Sequence, residues 1–153
     1  MENGMNSEQK KKLWKLLSGV KFCTLSTCSN GQPHSTMVQP SITSEFNIIT
    51  LSKNTTKKVS NIKQNNNVWL TFDAAGLFKI PKVVYIQGKA ELESLTQSTF
   101  EQFLSYHGWL TKKIYNKLAA EGFDSFTRII IKPKKIITIG IFGKFEDTIS
   151  FSF

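Results

Sequence analysis

The fold of this chain is predicted mainly from residues 31–62, which read GQPHSTMVQPSITSEFNIITLSKNTTKKVSNI. Asn30 and Gly31, where this stretch begins, form the dipeptide most typical of a two-residue β-hairpin turn. The pattern then predicts a strand over residues 32–42 and another over residues 46–52, separated by a short polar turn. Because turns this short join only antiparallel neighbours, we expect an antiparallel sheet here.

Helices are predicted at three places around these strands. Residues 53–67 are polar, with apolar residues at helical spacing, and indicate a short surface helix. Residues 7–19 indicate an N-terminal helix that Ser7 caps and Gly19 ends. A helical insertion is predicted to begin with a capping box of Ser98 and Glu101 and to stop at Gly122. The remaining strands are predicted at residues 22–28, 68–73, 83–93 and 128–142, with a bulge or an exposed edge at Pro133.

The fold class that follows is α+β, mainly β with helices. Six antiparallel strands in so short a chain favour a barrel, because closure removes exposed sheet edges. The 153 residues contain no internal repeat and no low-complexity linker, so we expect one domain over residues 1–153. No apolar run approaches the ~20 residues of a membrane helix, and the polar start of the chain does not resemble a signal peptide. The sequence therefore predicts a cytoplasmic protein without membrane contact.

The charge balance indicates an anionic partner. Twenty basic and eleven acidic residues leave a net charge of +9, which suits nucleic acid, a phosphorylated cofactor or an acidic surface. Arg128 is the only arginine of the chain. Since arginine is the usual bidentate reader of guanine, sequence-specific nucleic-acid recognition is weakly supported, and a nucleic-acid-binding barrel is the least favoured hypothesis.

The usual catalytic and metal-binding patterns are missing from the sequence. Cys23 and Cys28 would lie about 16 Å apart on opposite faces of one strand, too far for a disulfide, and the two histidines have no metal-ligand spacing to them. His34 and Ser35 are adjacent strand residues and face opposite ways. His107 falls on a mostly apolar helix face and is expected to be structural. If the chain is an enzyme, a cofactor carries its chemistry.

One group of residues suits a phosphate. Hydroxyl and ammonium groups lie at a predicted helix start, where backbone N–H groups are unpaired; they belong to Thr55, Thr56, Lys57 and Lys58. A capped and solvated helix start explains the same residues, and the residues alone favour that explanation.

The order of three motifs resembles the FMN-binding split β-barrels, the superfamily of pyridoxamine 5'-phosphate oxidase and of general stress protein 26-like proteins. The motifs are KFCTLST with NGQPHSTMV, IITLS leading to TTKKVSNI, and VVYIQGKAEL. The resemblance covers roughly residues 13–140 and implies a split barrel that binds FMN between the two copies of a homodimer. Its middle motif is similar to the phosphate loop of that superfamily.

The resemblance also implies roles for particular residues. Thr36, Met37 and Val38 would lie along the flavin ring, and Ile49, Thr50 and Leu51 would offer hydrogen bonds to the ring edge. The phosphate would be held by Thr56, Lys57 and Lys58, with Lys58 the foremost of them. Gln87 would contact the ring or the ribitol chain.

The leading functional hypothesis is an FMN-dependent oxidoreductase that uses NADH or NADPH. The alternative is a non-enzymatic, stress-related protein that holds flavin or haem. Two departures from the superfamily bear on this: Thr56 and Lys57 stand where arginine is frequent, and the C-terminal GKFEDTISFSF lacks the arginine and tryptophan of true pyridoxamine phosphate oxidases. We therefore do not expect pyridoxamine phosphate to be the substrate. The helical insertion would either roof a substrate pocket or only cover the barrel.

Overall fold

The computed structural model describes residues 4–74, 81–144 and 147–153, and within these it has four α-helices and eight strands. The helices are α1 (Ser7–Ser18), α2 (Lys57–Gln64), α3 (Gln97–Ser105) and α4 (Trp109–Ala119), with a short 3-10 turn at Phe123–Ser125. The strands are β1 (Cys23–Ser29), β2 (Gln32–Val38), β3 (Ser41–Ile42), β4 (Ile48–Lys53), β5 (Asn67–Asp73), β6 (Val83–Ser94), β7 (Phe126–Ile139) and β8 (Thr148–Ser152).

All strand pairs in the sheet are antiparallel, in the order β2-β1-β5-β6-β7-β4-β3, and β8 pairs with β7. The predicted α+β class is confirmed. Within the described residues the end strands β2 and β3 do not pair with each other, so the barrel is open, as in a split barrel.

Two differences account for eight strands where the sequence indicated six. The strand predicted over residues 32–42 is interrupted at Gln39 and Pro40, because proline lacks the N–H that a continuous ladder needs. The short β8 was not predicted, although its Phe151 is buried in the main core.

The long strand β7 contains the predicted irregularity at Pro133. Its first half pairs with β4 and its second half with β8. Against β6, Gln87 lies opposite Lys135 and Gly88 lies opposite Pro133, so Lys134 is an extra residue and the predicted bulge is confirmed. Gly88 is required here, since a Cβ would stand 2.6 Å from the carbonyl oxygen of Lys132.

The helix starts differ from the prediction by a few residues. Asn6, not Ser7, caps α1 and forms a capping box with Gln9. Thr96 caps α3 with Thr99, so the predicted pair of Ser98 and Glu101 was wrong. Each true cap lies just before the predicted one and has the extended backbone that lets its side-chain oxygen reach back to the helix.

Two hydrophobic cores hold the elements together. The main core lies between the sheet, α1 and α2, and includes the fully buried Leu17, Leu25 and Leu70. The second core lies between β4 and the helical insertion, and its members are Ile49, Leu51, Leu95, Phe100, Phe103, Leu104 and Phe126. The insertion therefore covers the outer face of β4. No helix in the described part of the chain has the length and apolar character to cross a membrane.

Candidate functional site

A compact group of hydroxyl and ammonium groups forms where β4 ends and α2 begins. Ser52 Oγ lies 2.8 Å from Thr56 Oγ1, and Lys58 Nζ donates to Ser52 Oγ at 3.3 Å. The turn between strand and helix brings these three side chains together, because Lys53 to Thr56 reverse the chain direction with a Thr56 N–H to Lys53 carbonyl bond. We call Ser52, Thr56 and Lys58 the α2 cluster.

The start of α2 is electropositive and lacks a side-chain cap. Thr56 is the N-cap residue, but its hydroxyl donates to the Lys53 carbonyl at 3.0 Å and makes no capping bond to the helix. No acidic residue occupies the first turn, which instead carries Lys57 and Lys58. The free N–H groups and the helix dipole therefore act together with two lysines to favour an anion.

Lys58 is the most constrained cation of this group. Its side chain is half-buried, and burial lowers the pKa of its ammonium group. No carboxylate among the described residues forms an ion pair with it. A partly desolvated ammonium without a counter-ion suits a bound phosphate, since an anion would restore the interaction that burial removes.

The strand β4 adds a polar group beside the α2 cluster. Thr50 is 1% exposed, and its Oγ1 has no hydrogen-bond partner. Beyond Ile49, β4 pairs with β7 alone among the described strands, so one of its edges has backbone groups free to bond. The side chains of Ile49 and Leu51 point into the second core instead. Any contact of these two residues with a cofactor would be made by their backbone.

The strand β2 presents its residues to two different environments. Thr36 pairs with buried Leu25, and Val38 is itself buried in the main core. Met37 points the other way and is 69% exposed, the largest exposure among the bulky hydrophobic side chains of the described residues. Of the three residues, Met37 has the most exposed side chain, Thr36 is half-buried and Val38 is buried.

Gln87 is exposed on the outer face of the sheet, opposite Trp69 of β5 and Lys135 of β7. It lines a depression of about 510 Å³ together with Ser26, Cys28 and Pro33. No hydrogen bond in the described structure joins it to the α2 cluster. The structure thus brings Thr56 and Lys58 together, with Lys57 on the same first turn of α2. Gln87 lies apart from them, on the outer face of the sheet.

One member of the cluster was not predicted from the sequence. Ser52 ends a strand just before a turn, where serine is frequent for conformational reasons. The signal that could have identified it is its position four residues before Thr56 and six before Lys58, which suffices for contact across the turn.

The two cysteines are free thiols, as expected, with Cys23 buried and Cys28 half-buried. Burial raises the pKa of the Cys23 thiol to about 12, so this thiol stays protonated and unreactive at neutral pH.

The structure is an open antiparallel sheet of split-barrel type, and the start of α2 is electropositive. Residues 9–140 match the pyridoxamine 5'-phosphate oxidase family model, so the chain belongs to that family. No curated protein matches the chain.

Solved structures with a similar fold include two stress-protein relatives and a haem protein. General Stress Protein 26 from Bacillus anthracis str. Sterne is 21% identical over 92% of this chain and 96% of its own, with a TM-score of 0.64. A Clostridium acetobutylicum protein related to general stress protein 26 of B. subtilis (pyridoxinephosphate oxidase family) is 16% identical over 97% and 96%, with a TM-score of 0.71. A heme binding protein from Mycobacterium smegmatis is 13% identical over 94% of this chain and 57% of its own, with a TM-score of 0.69. At these identities the likeness shows the fold alone.

Proposed function

We propose that this protein binds FMN with the phosphate at the α2 cluster and works as a flavin-dependent oxidoreductase. The observation that carries the proposal is Lys58, a half-buried ammonium group beside Ser52 and at an uncapped helix start, which pairs with no carboxylate of the described residues. Membership of the pyridoxamine 5'-phosphate oxidase family supports a phosphorylated cofactor at such a place.

The chain's own residues would divide the binding between phosphate and ring. Lys58 and the N–H groups of α2 would hold the phosphate, with Thr56 and Lys57 beside it. Thr50, through its unpartnered hydroxyl, and the backbone of Ile49 and Leu51 would hold the polar edge of the ring. Residues 36–38 of β2 would lie along the ring, where Met37 offers its exposed side chain.

The chemistry that bound FMN would supply is hydride acceptance from NADH or NADPH and transfer of the electrons to a second substrate. The lysines at the α2 start would favour the negative charge of the reduced cofactor.

A homodimer belongs to the same proposal. The outer face of the sheet carries the exposed Met37 and a ring pair of Trp69 and Tyr85, whose centroids are 5.9 Å apart. Apolar groups on an outer sheet face suit burial against a second copy. Gln87 shares this face, so its proposed flavin contact would be made across the dimer.

Titration with FMN of the wild type, Lys58→Ala and Lys63→Ala tests the site. Loss of a charge-assisted contact predicts about 10- to 100-fold weaker FMN binding for Lys58→Ala. Lys63 is the matched control: it is exposed in the last turn of the same helix, away from the α2 start, and its loss should weaken FMN binding less than about threefold. Equal effects of the two substitutions, or no FMN binding by the wild type, would contradict the site.

A flavin or haem carrier without turnover is the second candidate, since one protein of similar fold is a heme binding protein. Turnover distinguishes the two candidates. FMN-loaded protein should oxidise NADH or NADPH faster than free FMN at the same concentration. Tight FMN binding without such oxidation would favour the carrier, and haem bands in the visible spectrum would favour haem as its cargo.

A further inference from the structure

A groove of about 890 Å³ opens between the end of α1, the segment that joins β2 to β3, and the start of α4. Its wall includes Trp14, Phe22, Ser41, Tyr106, His107 and Ile114. Its volume falls within the range of pockets that bind small molecules, roughly 300–1,000 Å³. We call it the aromatic groove.

Exposed apolar side chains are concentrated in this groove. Six large hydrophobic side chains stand out as exposed among the described residues, and four of them line it: Trp14, Phe22, Tyr106 and Ile114. Three of the four are 50–54% exposed. The fold gains nothing from leaving these groups in water, so their grouping around one concavity indicates a ligand.

Polar anchors are fixed inside the groove. Ser41 Oγ lies 2.9 Å from His107 Nε2, and Gln39 Nε2 donates to Thr111 Oγ1 at 3.1 Å. The His107 ring is also held against Phe103, with ring centroids 4.5 Å apart. Burial lowers the pKa of His107, so its imidazole is neutral at pH 7 and can donate or accept a hydrogen bond. The histidine expected to be structural is indeed hydrogen-bonded, and it also faces a site.

The charge of the wall selects the kind of ligand. Among the described residues that line the groove, Lys21 is the only charged side chain, and none is acidic. Flat aromatic faces favour a planar ring, while a single lysine favours one negative charge.

We propose that the aromatic groove binds a planar aromatic molecule with a single negative charge. Its concave shape suits a small molecule better than the flat surface of a second copy. Ser41 pairs with Ile49 of β4, one residue before Thr50, so a ligand here would lie beside the strand assigned to the flavin. The assignment of this ligand as the substrate of the flavin rests on the proposed function. The binding of the ligand in the groove does not depend on that function.

Two fluorescent probes with the same ring system test the groove on flavin-free protein. 8-Anilinonaphthalene-1-sulfonate carries a planar naphthalene ring and one negative charge, and N-phenyl-1-naphthylamine is its neutral counterpart. The wild type should bind the anion saturably, at one molecule per chain, and more tightly than the neutral probe. Lys21→Gln should weaken the anion about two- to fivefold and leave the neutral probe unchanged, whereas Lys11→Gln, an exposed lysine outside the groove, should change neither.

Aromatic substitutions test the groove wall with a closely matched control. Phe22 is 53% exposed and lines the groove, while Phe153 is 54% exposed and does not. Phe22→Ala should weaken both probes about five- to tenfold, and Phe153→Ala less than twofold. Circular dichroism and melting curves should match the wild type, because both side chains are half exposed.

Several results would overturn the proposal. Absence of saturable probe binding, or equal effects of Phe22→Ala and Phe153→Ala, would show that the groove is not a ligand site. Loss of self-association in Phe22→Ala without any probe binding would show that a second copy covers it. A different result would leave the proposal standing: probe binding that persists in Lys58→Ala while FMN binding is lost would show that the groove binds its ligand independently of the proposed FMN site.

Discussion

The α2 start and the aromatic groove both open to solvent, but they are built from different side chains. The α2 cluster has two hydroxyl groups, one half-buried ammonium and a helix terminus without a side-chain cap. The groove has exposed rings, one lysine and a serine hydrogen-bonded to a neutral histidine. One region offers charge for a phosphate, and the other offers apolar area for a flat ring.

The two regions are also held by different cores. Val59 and Ile62 anchor α2 in the main core, beneath the sheet. The groove wall depends on α3 and α4, which the second core packs against β4. Because the two regions depend on separate cores, phosphate binding and aromatic binding should respond separately to mutation, pH and salt.

A substitution in the second core should change the stability of the protein more than any other change considered below. Phe103 is 2% exposed and contacts the rings of His107 and Tyr115, at centroid distances of 4.5 and 5.2 Å. Phe103→Ala should lower the free energy of unfolding by about 3–5 kcal/mol, because it removes a buried ring and leaves a cavity. Urea unfolding measures this.

Tyr106 is the control for Phe103, since it stands just after the same helix and is 50% exposed. Tyr106→Ala should cost less than about 1 kcal/mol while still weakening probe binding in the groove. If Phe103→Ala were as mild as Tyr106→Ala, the insertion would not be packed as an integral part of the fold.

The sequence predicted the sheet better than the helix starts or the site. Asn30 and Gly31 were identified as a hairpin turn, and both have the positive φ that such a turn needs, 50° and 72°. The cap of α3 was missed because Ser98 and Glu101 also match the capping-box spacing, and only the backbone geometry selects Thr96.

The site could be predicted only through the resemblance of its motifs. Lys58 gives no sign in the sequence of being half-buried or of having no carboxylate partner within residues 4–74, 81–144 and 147–153, since both properties depend on how the turn before α2 folds. The aromatic groove could not be predicted either. Trp14, Phe22 and Ile114 lie in separate elements, and each would read as an ordinary apolar residue of its own helix or strand.

A change of pH should have a smaller effect, and it should alter ligand binding at the α2 start without altering binding of a neutral ligand in the groove. If the phosphate of FMN binds as proposed, it requires a charged Lys58, and burial lowers the pKa of this lysine. As pH rises toward 10.5, the ordinary pKa of a lysine, Lys58 should therefore lose its proton earlier than an ordinary lysine would, and FMN binding should weaken.

The neutral naphthylamine probe should bind the groove equally across that range, because neutral His107 has no further proton to lose there. Fluorescence titrations of both ligands at several pH values check this. Lys58→Ala should abolish most of the pH dependence of FMN binding. An unchanged pH dependence in that variant would assign it to another group.

Comparison of FMN with riboflavin shows whether the α2 cluster recognises a phosphate. The two ligands differ only in the phosphate, so their affinity ratio isolates the contribution of the α2 start. Calorimetric titration should show that the wild type prefers FMN by about 100-fold and that Lys58→Ala reduces this preference to less than about tenfold. Equal binding of FMN and riboflavin by the wild type, or a preference unchanged in Lys58→Ala, would contradict the account.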